Sequence, residues 1–118
     1  MTGDAPSLGS RIMVQFADRG SRWHERLVTG FLPDGDGVMI LTPDEDVYVE
    51  HLSDWTRAIK GELVEDEWVY PQDVAGRKRP FRVSHSQNQV DQILAEAKSV
   101  AASEGFVLLD EWPSGKVW

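Results

Sequence analysis

Four apolar segments of strand length fall between Arg11 and Leu52, and the connections between them are so short that successive segments can only lie antiparallel. RIMVQF alternates, with Ile12, Val14 and Phe16 on one side and Arg11, Met13 and Gln15 on the other, the period of a half-buried strand. Asp18 to Ser21 marks a turn, and WHERLVTGFL resumes as a longer strand in which Gly30 predicts a bulge or a sharp coil. PDGDG at Pro33 to Gly37 supplies the fixed φ of proline and the freedom of glycine that a tight hairpin requires. VMILTP is the third strand, Pro43 to Asp46 a turn, DVYVEHL the fourth strand, and Ser53 to Ile59 reads as a one-turn helix or a short fifth strand. Residues 11–60 therefore predict a small antiparallel barrel or a curled sheet.

The flanks read differently. Residues 1–10 hold Gly, Asp, Pro and Ser around Leu8 and read as a flexible lead-in. In residues 61–118, LVEDEWVYP reads as one strand ended by Pro71, with Trp68 and Tyr70 on a shared face, and the stretch to Pro80 as a loop. Val90, Ile93, Leu94, Ala97 and Ala101 recur at helical spacing, with a capping-box pair Ser86 and Gln89 before them and Gly105 after, which predicts a helix over 86–104. FVLL gives a terminal strand, and EWPSGKVW trails off. The expected class is mainly β with one C-terminal α-helix (α+β), the helix and terminal strand packing on the same domain as the barrel or sheet.

Charge narrows the partners. The 118 residues carry 20 acids and 12 bases, a net charge of -8, and each half, 1–60 and 61–118, holds ten acids and six bases. An evenly acidic chain repels a phosphate backbone at long range, so nucleic acid is a disfavoured partner and a basic protein or peptide a favoured one. The local exception is Arg77, Lys78, Arg79 and Arg82, a basic patch open to four readings: a nuclear-import-like signal, a contact to an acidic partner, a contact to nucleic acid, or a balance to the acids of Glu62 to Glu67. With no Cys there is no disulfide framework or thiolate chemistry, which fits an intracellular site, cytoplasmic or nuclear. No apolar run is long enough for a membrane span, and no membrane partner is expected.

Motifs for catalysis and cofactors are lacking. Asp34, Asp36 and Glu45 sit at the first, third and twelfth places of a calcium loop, but Val38 and Met39 stand where a ligand and a glycine belong, so the aspartates are read as turn residues. His24, His51 and His85 show no metal-ligand pairing. Ser53 near His51, and Ser84 and Ser86 around His85, lack any nucleophile-elbow or SxxK context, and no phosphate cradle is present. The expectation is a non-enzyme without metal or cofactor.

What remains is aromatic excess beside acid. Trp23 opens the second strand, Tyr48 and Glu50 lie on the face of the fourth strand opposite Val47 and Val49, and Asp54 precedes Trp55. With the valines inward, Trp23, Tyr48, Glu50, Asp54 and Trp55 form a candidate ligand surface in which rings and carboxylates receive a cation; the competing reading packs the tryptophans in the core. The bent strand layout with Trp23, the PDGDG hairpin and DVYVEHL resembles the Tudor or SH3-like small-barrel superfold over residues 11–60. That resemblance implies an aromatic cage for methylated Lys or Arg, mapping here to Trp23, Tyr48 and Trp55. WHERLVTGFLP with LTPDEDVYVEHL is also similar to segments of protist retroelement polyproteins, which implies a domain context and no activity. Three functions follow as expectations: an interaction module for a basic peptide, methylated or not; an assembly domain of a larger polyprotein or complex that docks or homodimerises through its C-terminal helix or the FVLL segment; and nucleic-acid binding through residues 77–82.

Overall fold

In the computed structural model, residues 5–20, 22–65, 67–71, 78–79, 86–116 and 118 are described. Strands β1 (Arg11–Phe16), β2 (Trp23–Phe31), β3 (Gly37–Leu41), β4 (Val47–His51) and β5 (Trp55–Lys60) form one antiparallel sheet in the order β4-β3-β2-β1-β5. Short 3-10 turns, Ala17–Arg19 and Leu52–Asp54, join β1 to β2 and β4 to β5. β6 (Glu62–Val64) and β7 (Glu67–Val69) pair as a separate hairpin, β8 (Lys78–Arg79) lies parallel beside Trp23 and His24, and helix α1 spans Gln87–Glu104.

The expected fold class is the one observed, and of the two forms considered it is the curled sheet: β4 and β5 are its two edges, with no pairing between them among the described residues. Curling comes from register shifts between Val28 and Gly30 on β2 and between Gln15 and Phe16 on β1, each of which bends its strand. Gly30 meets a second requirement as well. A Cβ there would lie 2.4 Å from Leu108 Cδ1, so only glycine lets the segment after α1 close onto β2.

Both faces of the sheet are covered. The concave side buries Ile12, Val14, Phe16, Val28, Phe31, Val38, Ile40 and Trp55 together with Trp118. On the convex side, Leu27 and Leu41 meet Val90 and Ile93 of α1, and Met39 meets Ala97 and Ala101. The helix begins on a complete capping box, Ser86 and Gln89 each bonding the other's backbone, and ends at Gly105 with φ 80° in the left-handed region. Its apolar stripe is thus engaged by the chain's own sheet.

Four expectations are corrected. Residues 5–10 are part of the fold and not a lead-in: Leu8 packs on the concave core, Gly9 N–H donates to Val28 O (2.8 Å) and Val28 N–H to Ser10 O (2.9 Å). The single strand expected in LVEDEWVYP is the β6–β7 hairpin, turning at Glu65, which takes φ 50°. FVLL forms no strand but one bridge, in which Phe31 and Leu109 exchange both backbone hydrogen bonds (3.0 and 2.7 Å), while Phe106 and Val107 are exposed. The terminal stretch does not trail off: Trp112 and Trp118 meet edge to face at 5.1 Å, and Trp118 reaches Trp55 at 6.0 Å.

Candidate functional site

Pairing decides which face of β4 is which. Tyr48 is opposite Ile40 and Glu50 opposite Val38, both concave-core residues, whereas Val47 and Val49 pack toward α1 on the convex side. This reverses the expected orientation, and the reason is that α1 supplies an apolar cover on the side where solvent was expected. Tyr48 and Glu50 lie at the margin of the concave face, and two 3-10 turns complete a groove of about 570 Å³ beside them, lined by Phe16, Asp18, Arg19, Tyr48, Glu50 and Asp54 among others.

The base of this groove is a buried ion pair. Arg26 Nε donates to Glu50 Oε1 at 3.0 Å and Nη2 to Oε2 at 3.3 Å, with only 4% and 8% of the two side chains exposed. Tyr48 Oη donates to Glu50 at 3.4 Å, and its phenol is held above its usual pKa by burial first and by the Glu50 charge second. Tyr48 is still 41% exposed, so an open ring sits over a neutralised acid with Asp18 and Asp54 exposed along the same groove.

One wall is braced from below. Asp34 Oδ1 accepts from the N–H groups of Asp36 and Gly37, both at 2.9 Å, and the Gly37 bond is the first cause of its lowered pKa. Asp36 reaches across to the turn of Leu52–Asp54, accepting from Ser53 N–H (2.9 Å) and Ser53 Oγ (3.1 Å), with His51 Nδ1 at 3.3 Å. Asp36 therefore stands between serine and histidine, where a nucleophilic relay needs the imidazole in the middle. Asp34 acts as the turn residue its spacing predicts, whereas the Asp36 carboxylate does not bond its own turn but ties the hairpin to the Leu52–Asp54 turn.

The other expected site residues part company. Trp23 is buried on the convex side with Met13 and Tyr70, whereas Trp55 is buried on the concave side, so the three rings do not converge and Tyr48 alone reaches the groove. Lys78 and Arg79 contribute backbone to β8, while Arg77 and Arg82 lie outside the described residues. Phe16, Asp18 and Arg19 were not foreseen, because Asp18 and Arg19 carry the signature of an ordinary turn.

A larger concavity of about 760 Å³ lies between the N-terminal segment and the β6–β7 hairpin, walled by Pro6, Lys60, Glu62, Trp68, Tyr70 and Pro71 among others. Behind it Tyr70 Oη donates to the buried Glu25, and burial, then that bond, hold the Tyr70 phenol above its ordinary range. Among the described residues no three acidic, His or Cys side chains gather to hold a metal, and no helix is long and apolar enough to cross a membrane. Comparison of the chain with protein-family models, with curated proteins and with solved structures gives no match.

Proposed function

We propose that the protein is a non-catalytic interaction module that binds a basic peptide segment in the groove between its two 3-10 turns. The observation that carries this reading is the half-exposed Tyr48 ring in a groove along which the exposed acids Asp18 and Asp54 stand without an ion pair among the described residues. A ring face attracts a cation, the net charge of -8 speeds its approach, and a desolvated aromatic is the residue type on which affinity concentrates. The open β4 and β5 edges and the five-strand order are compatible with the SH3-like resemblance.

The test is fluorescence anisotropy with labelled Lys- and Arg-rich peptides at low and high salt. Tyr48→Ala is expected to weaken binding by about 30-fold, the loss of one strong anchor of ~2 kcal/mol. Binding that is absent at low salt, or unchanged in this variant, refutes the reading.

The assembly reading is supported by exposed apolar side chains away from the α1 stripe, Phe106 and Val107 after the helix and, more extensively, the β6–β7 hairpin. Leu63, Val64 and Val69 of the β6–β7 hairpin are 58%, 49% and 46% exposed. A mass well above 13.3 kDa by light scattering, returning to the monomer value in Leu63→Glu, would support homodimer formation through the hairpin.

A further inference from the structure

Resting on that reading of the groove, we infer that its occupant is an unmethylated arginine side chain, laid flat on Tyr48 with its N–H edge turned to Asp18 and Asp54, and that methylation weakens its binding. Methylation trades N–H donors for methyl groups, completely in a quaternary ammonium and in part in dimethylarginine, and such a cation is held by several rings enclosing it. Among the described residues no such enclosure forms. Trp23 and Trp55 are buried, and the second ring of the groove, Phe16, is 7% exposed and already carries the Arg19 guanidinium at 4.5 Å and that of Arg26 at 5.7 Å. Among the described residues that line the groove, Tyr48 is the phenyl ring left for a ligand.

The acids tell the same way. Glu50 is taken by Arg26, whereas Asp18 and Asp54 have no ion pair among the described residues and so keep their acceptor capacity. A ligand that stacks on one ring and donates hydrogen bonds from its rim is a guanidinium: it is planar, carries five N–H donors, and is weakly hydrated. Lysine offers a point charge with no face to stack. The chain itself uses guanidinium over ring not only at Phe16 but also at Trp23, where Arg57 sits at 4.9 Å. Arginine dimethylation keeps the charge but leaves fewer N–H donors and blocks the paired hydrogen bonding that Asp18 and Asp54 would accept.

The experiment uses the full chain and four labelled peptides of one Gly/Ser background, carrying three residues of arginine, asymmetric dimethylarginine, lysine or trimethyllysine. Anisotropy titration is expected to rank arginine first, with dimethylarginine about tenfold weaker, the loss of a charge-assisted bond. Asp54→Asn, at an exposed position away from the core, should narrow the gap between those two peptides, and Tyr48→Leu should weaken both. Equal or tighter binding of the methylated peptides, or lysine matching arginine, overturns the arginine assignment while leaving a basic-peptide groove in place. Failure of all four to bind overturns the groove reading as well.

Discussion

Gly30→Ala tests how the segment after α1 is fastened to the sheet. The added Cβ would lie 2.4 Å, 2.5 Å and 2.7 Å from Leu108 Cδ1, Cγ and Cδ2, whereas comfortable carbon contacts begin near ~3.5 Å. Leu108 would have to move by about 1 Å or leave its place beside Met39, Ala97 and Ala101. Overpacking of this kind costs about 1–3 kcal/mol. Leu108→Ala alone removes three carbons from a half-buried side chain, a loss of about 1–2 kcal/mol. If the two effects were independent, the double variant would lose about 2–5 kcal/mol. Because the new methyl fits the space that Leu108 vacates, the double variant should cost no more than Leu108→Ala, a coupling of at least about 1 kcal/mol. Urea unfolding followed by tryptophan fluorescence resolves this, since ~1 kcal/mol moves the midpoint by roughly 0.5–1 M for a domain of this size. Additivity within about 0.5 kcal/mol would refute the argument.

Trp118→Ala should cost about 3–5 kcal/mol in the same assay, because a 95%-buried indole packed on Trp55 and Trp112 leaves a cavity when removed. Glu50→Gln should cost about 3 kcal/mol by leaving Arg26 charged and buried, and replacing both partners by Leu and Met should recover part of it, as a double-mutant cycle would show. Tyr70 holds its proton above the ordinary 10.0, so the unfolded chain ionises first and stability falls as the pH rises beyond 10.0, by up to about 1.4 kcal/mol per unit; Tyr70→Phe should flatten that loss in urea midpoints taken across the range. Asp34 behaves in the opposite sense. Its lowered pKa gives a contribution complete above 3.8 that is lost as the pH falls through the folded value, and Asp34→Asn should remove that part of the acid dependence of Tm.

Features carried by neighbours in sequence were legible. The capping box of Ser86 and Gln89, the αL glycine at 105, the Asx turn at Asp34 and the Gly30 bulge all depend on residues a few positions apart. The orientation of β4 was not, and for a physical reason: alternation separates Val47 and Val49 from Tyr48 and Glu50 without naming the core side. In a sheet covered on both faces, hydrophobicity no longer marks the interior. Glu50 can lie on the core side because Arg26, 24 residues away, neutralises it. The hairpin at 62–69 was hidden because its turn residue Glu65 takes positive φ without the glycine or asparagine that usually announces one. The groove was half legible: Tyr48, Glu50 and Asp54 stood out by composition, but Phe16, Asp18 and Arg19 join them through pairing of β1 with β5.

The seating of Trp118 against Trp55 and Phe31, in a cluster that also holds Ile12 and Val14, sets the order in which this core can form. Its members are separated by up to a hundred-odd positions in sequence, so closing it carries a large loop-entropy cost that no early local contact offsets. A nascent chain emerging from the ribosome could pair β1 to β4 well before the indoles that seal the concave side arrive. The kinetic expectation is folding on the millisecond-to-second scale of non-local β topologies, with the burial of Trp118 among its last events.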